Sequence, residues 1–316
     1  MERWARELAA RLPRLSPGRY SVARPPHALA HRAGHTWEQA LLPLRARRSQ
    51  LILCPANLAP LAGGRNVVVI HDLAPLRHPE WYGSAYVAWQ RAVLPAIARR
   101  AVRLIAVSEF GRRELVELLG ADPSHIDVIA GGVDERFTPE ATRPLGSHRP
   151  YVLAVGTRIA RKNLAALRDT ATMLERRGID LVAAGSGRAY MRAEHAPPVR
   201  ALGYVPDDVM PGLYANAEAV VMPSVYEGFG LPCIEAMACG TPLVASDRSA
   251  LPETCGDAAL LVDPDDTAAF SAALERVLDD AALRDHLREA GLARARSLTW
   301  DRTAGEVDAL LGRLLR

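Results

Sequence analysis

Two doubly wound α/β domains, each a parallel sheet with helices on both faces, are the fold that this sequence predicts, on three observations. Short apolar runs alternate with helical stretches along nearly the whole chain. Several of these runs stop at a glycine or a polar residue just before a helical pattern opens. Near the middle, residues 137–150, FTPEATRPLGSHRP, are polar, proline-bearing and unpatterned, as a linker would be. With 316 residues, 49% of them hydrophobic and 24% charged, the chain is long enough for two cores. The expected boundaries are therefore 1–149 and 150–299, with 300–316 a closing helix that could pack back on the first domain.

In chain order, SQLILCPA, NVVVIHD, RLIAVS and IDVIAGGV read as short buried strands of the first domain, with SEFGRRELVELLG a helix between the last two. The second domain repeats the pattern in YVLAVG, IDLVAAGSG, VRALGYV, AEAVVMPS, TPLVAS and AALLVD. Apolar positions at helical spacing make WDRTAGEVDALLGRLLR an amphipathic helix.

Composition removes several classes of function. No apolar run approaches the ~20 residues of a spanning helix, and the opening MERWARELAARL lacks the apolar centre of a signal peptide. A cytoplasmic protein is the expectation. Cys54, Cys233, Cys239 and Cys255 form no CxxC pair, so buried reduced thiols are expected, with neither zinc nor disulfides. The net charge of +3 divides unevenly: residues 1–150 carry 21 Arg against 13 acids, and the rest 18 basic residues against 23 acids. A basic first half would meet something anionic, such as the inner face of a membrane or a phosphorylated acceptor, or it is an ordinary solvated arginine-rich surface. Nucleic acid is disfavoured because no aromatic-basic stripe or helix-turn-helix pattern accompanies the charge.

Of 39 basic residues only Lys162 is lysine. It lies in YVLAVGTRIARKNLAAL, where an apolar strand meets Gly156, a polar turn and then a helical pattern. Free backbone N–H groups and the helix dipole favour phosphate at such a place, and Arg161 and Lys162 would add point charges. Open parallel sheets hold ligands at the carboxyl ends of their strands. His71, Asp72, Ser108, Gly156, the GSG beginning at Gly185, and Glu227 all follow predicted strands. Taken singly each weighs little: His71 alone would be a structural histidine, and GSGRAY lacks the third glycine of a dinucleotide fingerprint.

The segment EGFGLPCIEAMACGTPLVAS places Glu227 and Glu235 eight positions apart around a glycine turn that opens a helix. Gly228 and Gly230 permit close approach of the backbone to a ligand. Glu235, a turn inside the helix, could accept hydrogen bonds from a vicinal diol such as a ribose, and Glu227 faces the other end of the same ligand. A molecule with hydroxyls at both ends and an anion between them, a nucleoside diphosphate sugar, suits this arrangement. A helix cap beside a surface glutamate would explain the turn if it stood alone.

With these motifs the chain resembles the retaining glycosyltransferases of family 4, which have the GT-B architecture and include many bacterial mannosyltransferases. The resemblance runs through HTWEQALLPL, VVVIHDLAPLRHPEWY, AVSEFGRREL, GGVDERFTP, VGTRIARKNLAAL, LGYVPDD and PSVYEGFGLPCIEAMACGTPLVAS. It implies two Rossmann-like domains facing a cleft and transfer of a hexose, mannose favoured, to a saccharide or lipid-linked acceptor in surface polysaccharide or glycolipid synthesis. Glu235 would hold the nucleotide ribose and Glu227 the sugar hydroxyls. The backbone around Phe229, Gly230 and Leu231 would contact sugar and phosphate, and Lys162 with Arg161 or Arg158 would neutralise the diphosphate. His71 would be catalytic with Glu227 and Lys162, lining donor sugar and acceptor, and Asp72 and Ser108 would lie on the acceptor side. GDP-mannose is the favoured donor, with UDP-hexoses open, and neither metal nor other cofactor is implied.

Three departures matter. Thr157 stands where many relatives have arginine, Gly131 stands where asparagine is usual before GVD, and the chain opens on what resembles the helix after the family's first strand. A gap in the first sheet is therefore expected. A truncated or non-catalytic relative that binds sugar nucleotide is the competing reading.

Overall fold

The computed structural model describes residues 2–26, 36–142, 149–156, 159–185 and 199–316. Its contacts divide the chain into two compact units, one of Met1–Arg77, Ser84–Gly131 and Trp300–Arg316, the other of His78–Gly83 and Gly132–Thr299.

The first unit is a parallel sheet of β1 (Ile52–Cys54), β2 (Asn66–Ile70), β3 (Arg103–Ala106) and β4 (Ile126–Val128), in that spatial order. All five residues of β2 are buried, which is why it reads as an unbroken apolar run rather than an alternating one. Among the described residues the four strands pair without the expected gap. Successive crossovers lay each strand beside its predecessor, so the described sheet has β1 as an edge. Helix α1 (Glu2–Leu15) turns Trp4, Leu8 and Leu12 inward, and α2 (Ser84–Arg100) buries Val87, Leu94 and Ile97. In α3 (Glu109–Leu119), Ser108 Oγ accepts the Gly111 N–H at the start, and Gly120, at φ +62°, closes the end.

The second unit is a six-stranded parallel sheet of β5 (Tyr151–Val155), β6 (Asp180–Ala184), β7 (Arg200–Gly203), β8 (Ala219–Met222), β9 (Leu243–Ser246) and β10 (Leu260–Val262), ordered β10-β9-β8-β5-β6-β7. The chain builds outward from β5 through β6 to β7, then returns to lay β8 against the other side of β5, pairing Val152 with Ala219 and Ala154 with Val221. This is the strand order of a doubly wound sheet, and the β5/β8 boundary is its switch point. Helices α4 (Arg168–Arg176), α5 (Met210–Ala215), α6 (Leu231–Ala238), α7 (Leu251–Cys255), α8 (Thr267–Asp279) and α9 (Ala281–Ser297) belong to this unit. One core lies under Tyr214, Val220, Met222 and Leu243, the other under Leu164, Leu174, Val221 and Phe270.

The passage between units falls between Gly131 and Gly132, earlier than the linker expected near 149. Val133 N–H donates to Leu298 O and Phe137 packs on Tyr214, which ties residues 132–142 to the second unit before the polar stretch begins.

The closing helix α10 (Trp300–Leu314) belongs to the first unit, where it lies against α1. Trp4 and Trp300 meet edge to face with centroids 5.7 Å apart. Asp308 accepts from Ser16 Oγ at 3.0 Å and from Tyr20 OH at 2.5 Å, and Arg11 Nε donates to Asp301 at 2.6 Å. Trp4→Ala should lower unfolding stability by about 3–5 kcal/mol, the cost of a buried aromatic replaced by a cavity. Urea denaturation followed by circular dichroism measures it.

Candidate active site

The carboxyl ends of β5 and β8 carry the densest cluster of charge in either core. After Val155 the chain turns at Gly156, whose φ of +152° lies where side chains are strained. A Cβ there would stand 2.8 Å from Lys162 Cδ, so glycine is what lets the lysine stem cross the strand end. Thr157 and Arg158 lie outside the described residues. The chain then makes two short 3₁₀ turns, Ala160–Lys162 and Leu164–Leu167, before α4 begins, because Asn163 between them is left-handed at φ +48°. The helix expected immediately after the turn therefore starts late. Asn163 Nδ2 is held by Pro264 O at 2.9 Å.

Lys162 is only 9% exposed and Glu227 only 6%. Lys162 Nζ donates to Glu227 Oε1 at 2.5 Å, and Arg161 Nη1 stands 3.6 Å from Oε2. Burial alone would raise the Glu227 carboxyl, but Lys162 and then Arg161 outweigh it and hold it below the usual carboxylate range. The backbone of Glu227 is pinned as well. Its N–H donates to Ser249 Oγ at 2.8 Å and its carbonyl accepts from Ala250 N–H.

Past Glu227 and Gly228, Phe229 O accepts from Thr254 Oγ1. Gly230 caps α6 at φ +100°, and a Cβ there would lie 2.7 Å from Leu251 Cδ2, so this turn admits no larger residue without a shift. Leu231 opens the helix, whose first N–H groups have no carbonyl within it to pair with, as at any helix start. Glu235, one turn in and 5% exposed, accepts from Tyr214 OH at 2.9 Å. Gly185 ends β6 with its N–H on Gly203 O. Ser186 and Gly187 lie outside the described residues.

In the first unit, His71 and Asp72 follow β2. His71 Nε2 lies 2.7 Å from Pro55 O, a carbonyl that can only accept, so Nε2 carries the proton and donates. The ring meets Trp4 edge-on at 5.6 Å. Burial is the main reason the imidazole is pushed down to about 3, so His71 is neutral at physiological pH. Asp72 Oδ1 accepts from Ala74 N–H. Ser108, assigned by its position to the acceptor side, is buried as the cap of α3.

Sequence reasoning passed over the residues that hold these groups. Asn57, left-handed at φ +62°, accepts the His71 N–H through Oδ1 at 2.6 Å and donates through Nδ2 to Asp72 O at 3.2 Å. Ser249 does the same work for Glu227, and Tyr214 for Glu235. An asparagine three residues past a strand was a visible signal for the first; the others carry none.

The family description "Glycosyl transferases group 1" matches residues 149–280, and "Glycosyltransferase Family 4" matches residues 17–137. Over 291 residues the chain is 32% identical to O-antigen chain mannosyltransferase B of Escherichia coli, covering 86% of this chain and 76% of that one. It is 33% identical over 240 residues to the D-inositol 3-phosphate glycosyltransferase of Salinispora arenicola, spanning 66% of this chain but only 54% of that relative. Anabaena HepE, solved in complex with UDP and glucose, superposes with a TM-score of 0.70 over 86% of this chain and 80% of its own, at 19% identity, a likeness of fold.

Lys162→Met would leave Glu227 buried beside the more distant Arg161 alone. Stability should fall by about 3 kcal/mol at pH 8, as for a broken buried pair. The carboxyl of that variant titrates above its unfolded value, so it is protonated and neutral in the folded protein at lower pH, and the loss should be smaller at pH 5. Adding Glu227→Gln should restore most of the stability at pH 8. Urea melts of the three proteins at the two pH values test this.

Proposed function

Because the chain belongs to glycosyltransferase family 4, we propose that it moves a hexose, mannose first among them, from a nucleoside diphosphate sugar to a hydroxyl of a saccharide or lipid-linked acceptor, with retention of anomeric configuration. The observation that carries this reading is the buried Arg161–Lys162–Glu227 cluster at the switch point, beside the glycine turn that opens α6. As the bond between the anomeric carbon and the phosphate oxygen breaks, its electron pair goes to the nucleoside diphosphate. Lys162 and Arg161 stabilise that developing charge, the electrostatic role expected to contribute most to the rate. Glu227 accepts hydrogen bonds from hydroxyls of the transferred sugar, and Glu235, already hydrogen-bonded to Tyr214, accepts from the ribose diol. The acceptor oxygen bonds to the anomeric carbon on the face the phosphate leaves, and its proton passes to the departing phosphate. No protein base is assigned. Neutral His71 contributes hydrogen bonding rather than proton transfer.

Protein cations supply the counter-charge, so the reading carries no metal and no other cofactor. GDP-mannose is favoured as donor by the resemblance of VGTRIARKN and by the Escherichia coli mannosyltransferase relative; the HepE complex keeps UDP-hexoses as the alternative. The arginine-rich first half is read as drawing a cytoplasmic enzyme to the anionic inner face of a membrane, in synthesis of a surface polysaccharide or glycolipid.

A panel of GDP, UDP, ADP and their common sugars, followed by thermal shift, tests the donor site. One nucleotide at a hundredfold excess over its Kd should stabilise the protein by about 2.7 kcal/mol, and Glu235→Ala and Lys162→Ala should each abolish the shift. A shift without any sugar transfer would favour a non-catalytic sugar-nucleotide binder, and no shift in a folded protein would end the transferase reading.

A further inference from the structure

The stretch WEQ, residues 37–39, has no part in the donor site, yet it folds in an uncommon way. Trp37–Leu41 is a turn of π-helix that runs into a short α-helical turn, Leu42–Arg45. Such turns occur mostly as isolated features, frequently at functional sites. Trp37 is buried in the core of the first unit with Ile52, Cys54 and Leu73. Gln39 braces the turn against the loop that follows β1, its Nε2 donating to Ala59 O and its Oε1 accepting the Leu61 N–H, both at 2.9 Å. That loop also supplies Pro55 and Asn57, the partners of His71.

Glu38 sits between these two anchors. It is half-buried, and its one hydrogen-bond partner among the described residues is the neighbouring Gln39 amide, at 3.4 Å. The fully buried glutamates differ. Glu7 pairs with Arg11, Glu114 with Arg77 at 2.6 Å, Glu227 with Lys162, and Glu235 accepts from Tyr214. A carboxyl partly withdrawn from water, with no cation beside it among the described residues, costs stability, and a fold retains such a group where something else uses it. Burial pushes Glu38 up to about 7, and burial followed by the Glu38 charge raises the thiol of Cys54, the last residue of β1. Trp37, packed in one core with Cys54, and Gln39, hydrogen-bonded to the loop after β1, place residue 38 by the carboxyl end of β1, one strand from the end of β2 and His71. Open parallel sheets hold their ligands at that rim.

We propose that Glu38 contacts the acceptor: its carboxylate accepts a hydrogen bond from a sugar hydroxyl of a saccharide acceptor and so selects how that sugar is presented. The inference rests on the glycosyltransferase reading above. A purely structural role is already filled by Gln39, which holds the turn to its loop from both ends of its amide.

Glu38→Gln in the full chain keeps the shape and removes the charge. Nucleotide-sugar hydrolysis by water and the thermal shift with the same nucleotide sugar should stay within about twofold of wild type, and the melting temperature should be unchanged or higher. Transfer to octyl glycosides, the α- and β-glucoside, galactoside and mannoside, should fall about tenfold or more in kcat/KM for the acceptor, with partial recovery in Glu38→Asp. Transfer by Glu38→Gln at the wild-type rate overturns the proposal, and so does hydrolysis falling in step with transfer, which would mean damage to the donor side. A wild type that hydrolyses the donor and glycosylates none of the six overturns the saccharide assignment. A wild type with neither shift nor hydrolysis removes the transferase reading itself, which separates the two failures.

Discussion

The buried pair of Lys162 and Glu227 is the constraint around which the second unit is arranged. Two charges taken out of water are favourable only when geometry and further hydrogen bonds compensate the desolvation. Gly156 clears the path of the lysine stem, Ser249 and Ala250 fix the backbone of Glu227, and Arg161 adds a second cation. The pair also joins the loop after β5 to the loop after β8. These strands are neighbours only because the sheet reverses its winding between them. Topology thus brings the charges together, and the charges in turn fix the two loops.

In the first unit the residues after β2 are positioned by hydrogen bonds to neutral groups. Asn57 grips both sides of the His71–Asp72 turn, and Pro55 O fixes the imidazole in one tautomer. Hydrogen bonds to neutral groups orient without drawing in charge, and burial, against the pull of the Pro55 carbonyl, keeps His71 unprotonated. The contrast is chemical: one set of strand ends is fixed by a buried ion pair, the other by hydrogen bonds to uncharged groups.

The strands of the described residues stood out in the sequence as short apolar runs, most plainly β2, β8 and β9, which are buried throughout, and a glycine or polar residue follows several of them. Glu227, Glu235 and Lys162 were legible for a related reason, since glycine turns and helix starts are local and leave a pattern. What was not legible depends on pairing across sequence distance. Tyr214 reaches Glu235 from another helix, and Ser249 reaches Glu227 from 22 positions away, with no period to announce either. The division of contacts at Gly131 differs from the linker expected near 149 for the same reason. A polar stretch is visible in sequence, but the hydrogen bond from Val133 to Leu298 that commits the chain to the second unit is not. The π-helical turn at Trp37 also escaped, because WEQALLPL has an apolar pattern that an ordinary α-helix would satisfy equally.

The glutamates near these strand ends show why residue type alone cannot assign chemistry. Glu227 and Glu235 are both buried, on either side of one glycine turn, yet Glu227 is ionised and held low by Lys162 and Arg161 while Glu235 takes a phenol hydrogen. A carboxylate locked between cations can orient hydroxyls but is a poor proton acceptor, because its own protonation has been made unfavourable. One that accepts from a phenol is held by a neutral partner instead. Glu38, with neither cation nor phenol beside it among the described residues, is pushed up to about 7 by burial, so its charge is easily lost near neutrality. The same side chain therefore serves three ends, graded by what stands within hydrogen-bonding distance, and it is the partners, Lys162, Tyr214 and Gln39, that a comparison of such sites should follow.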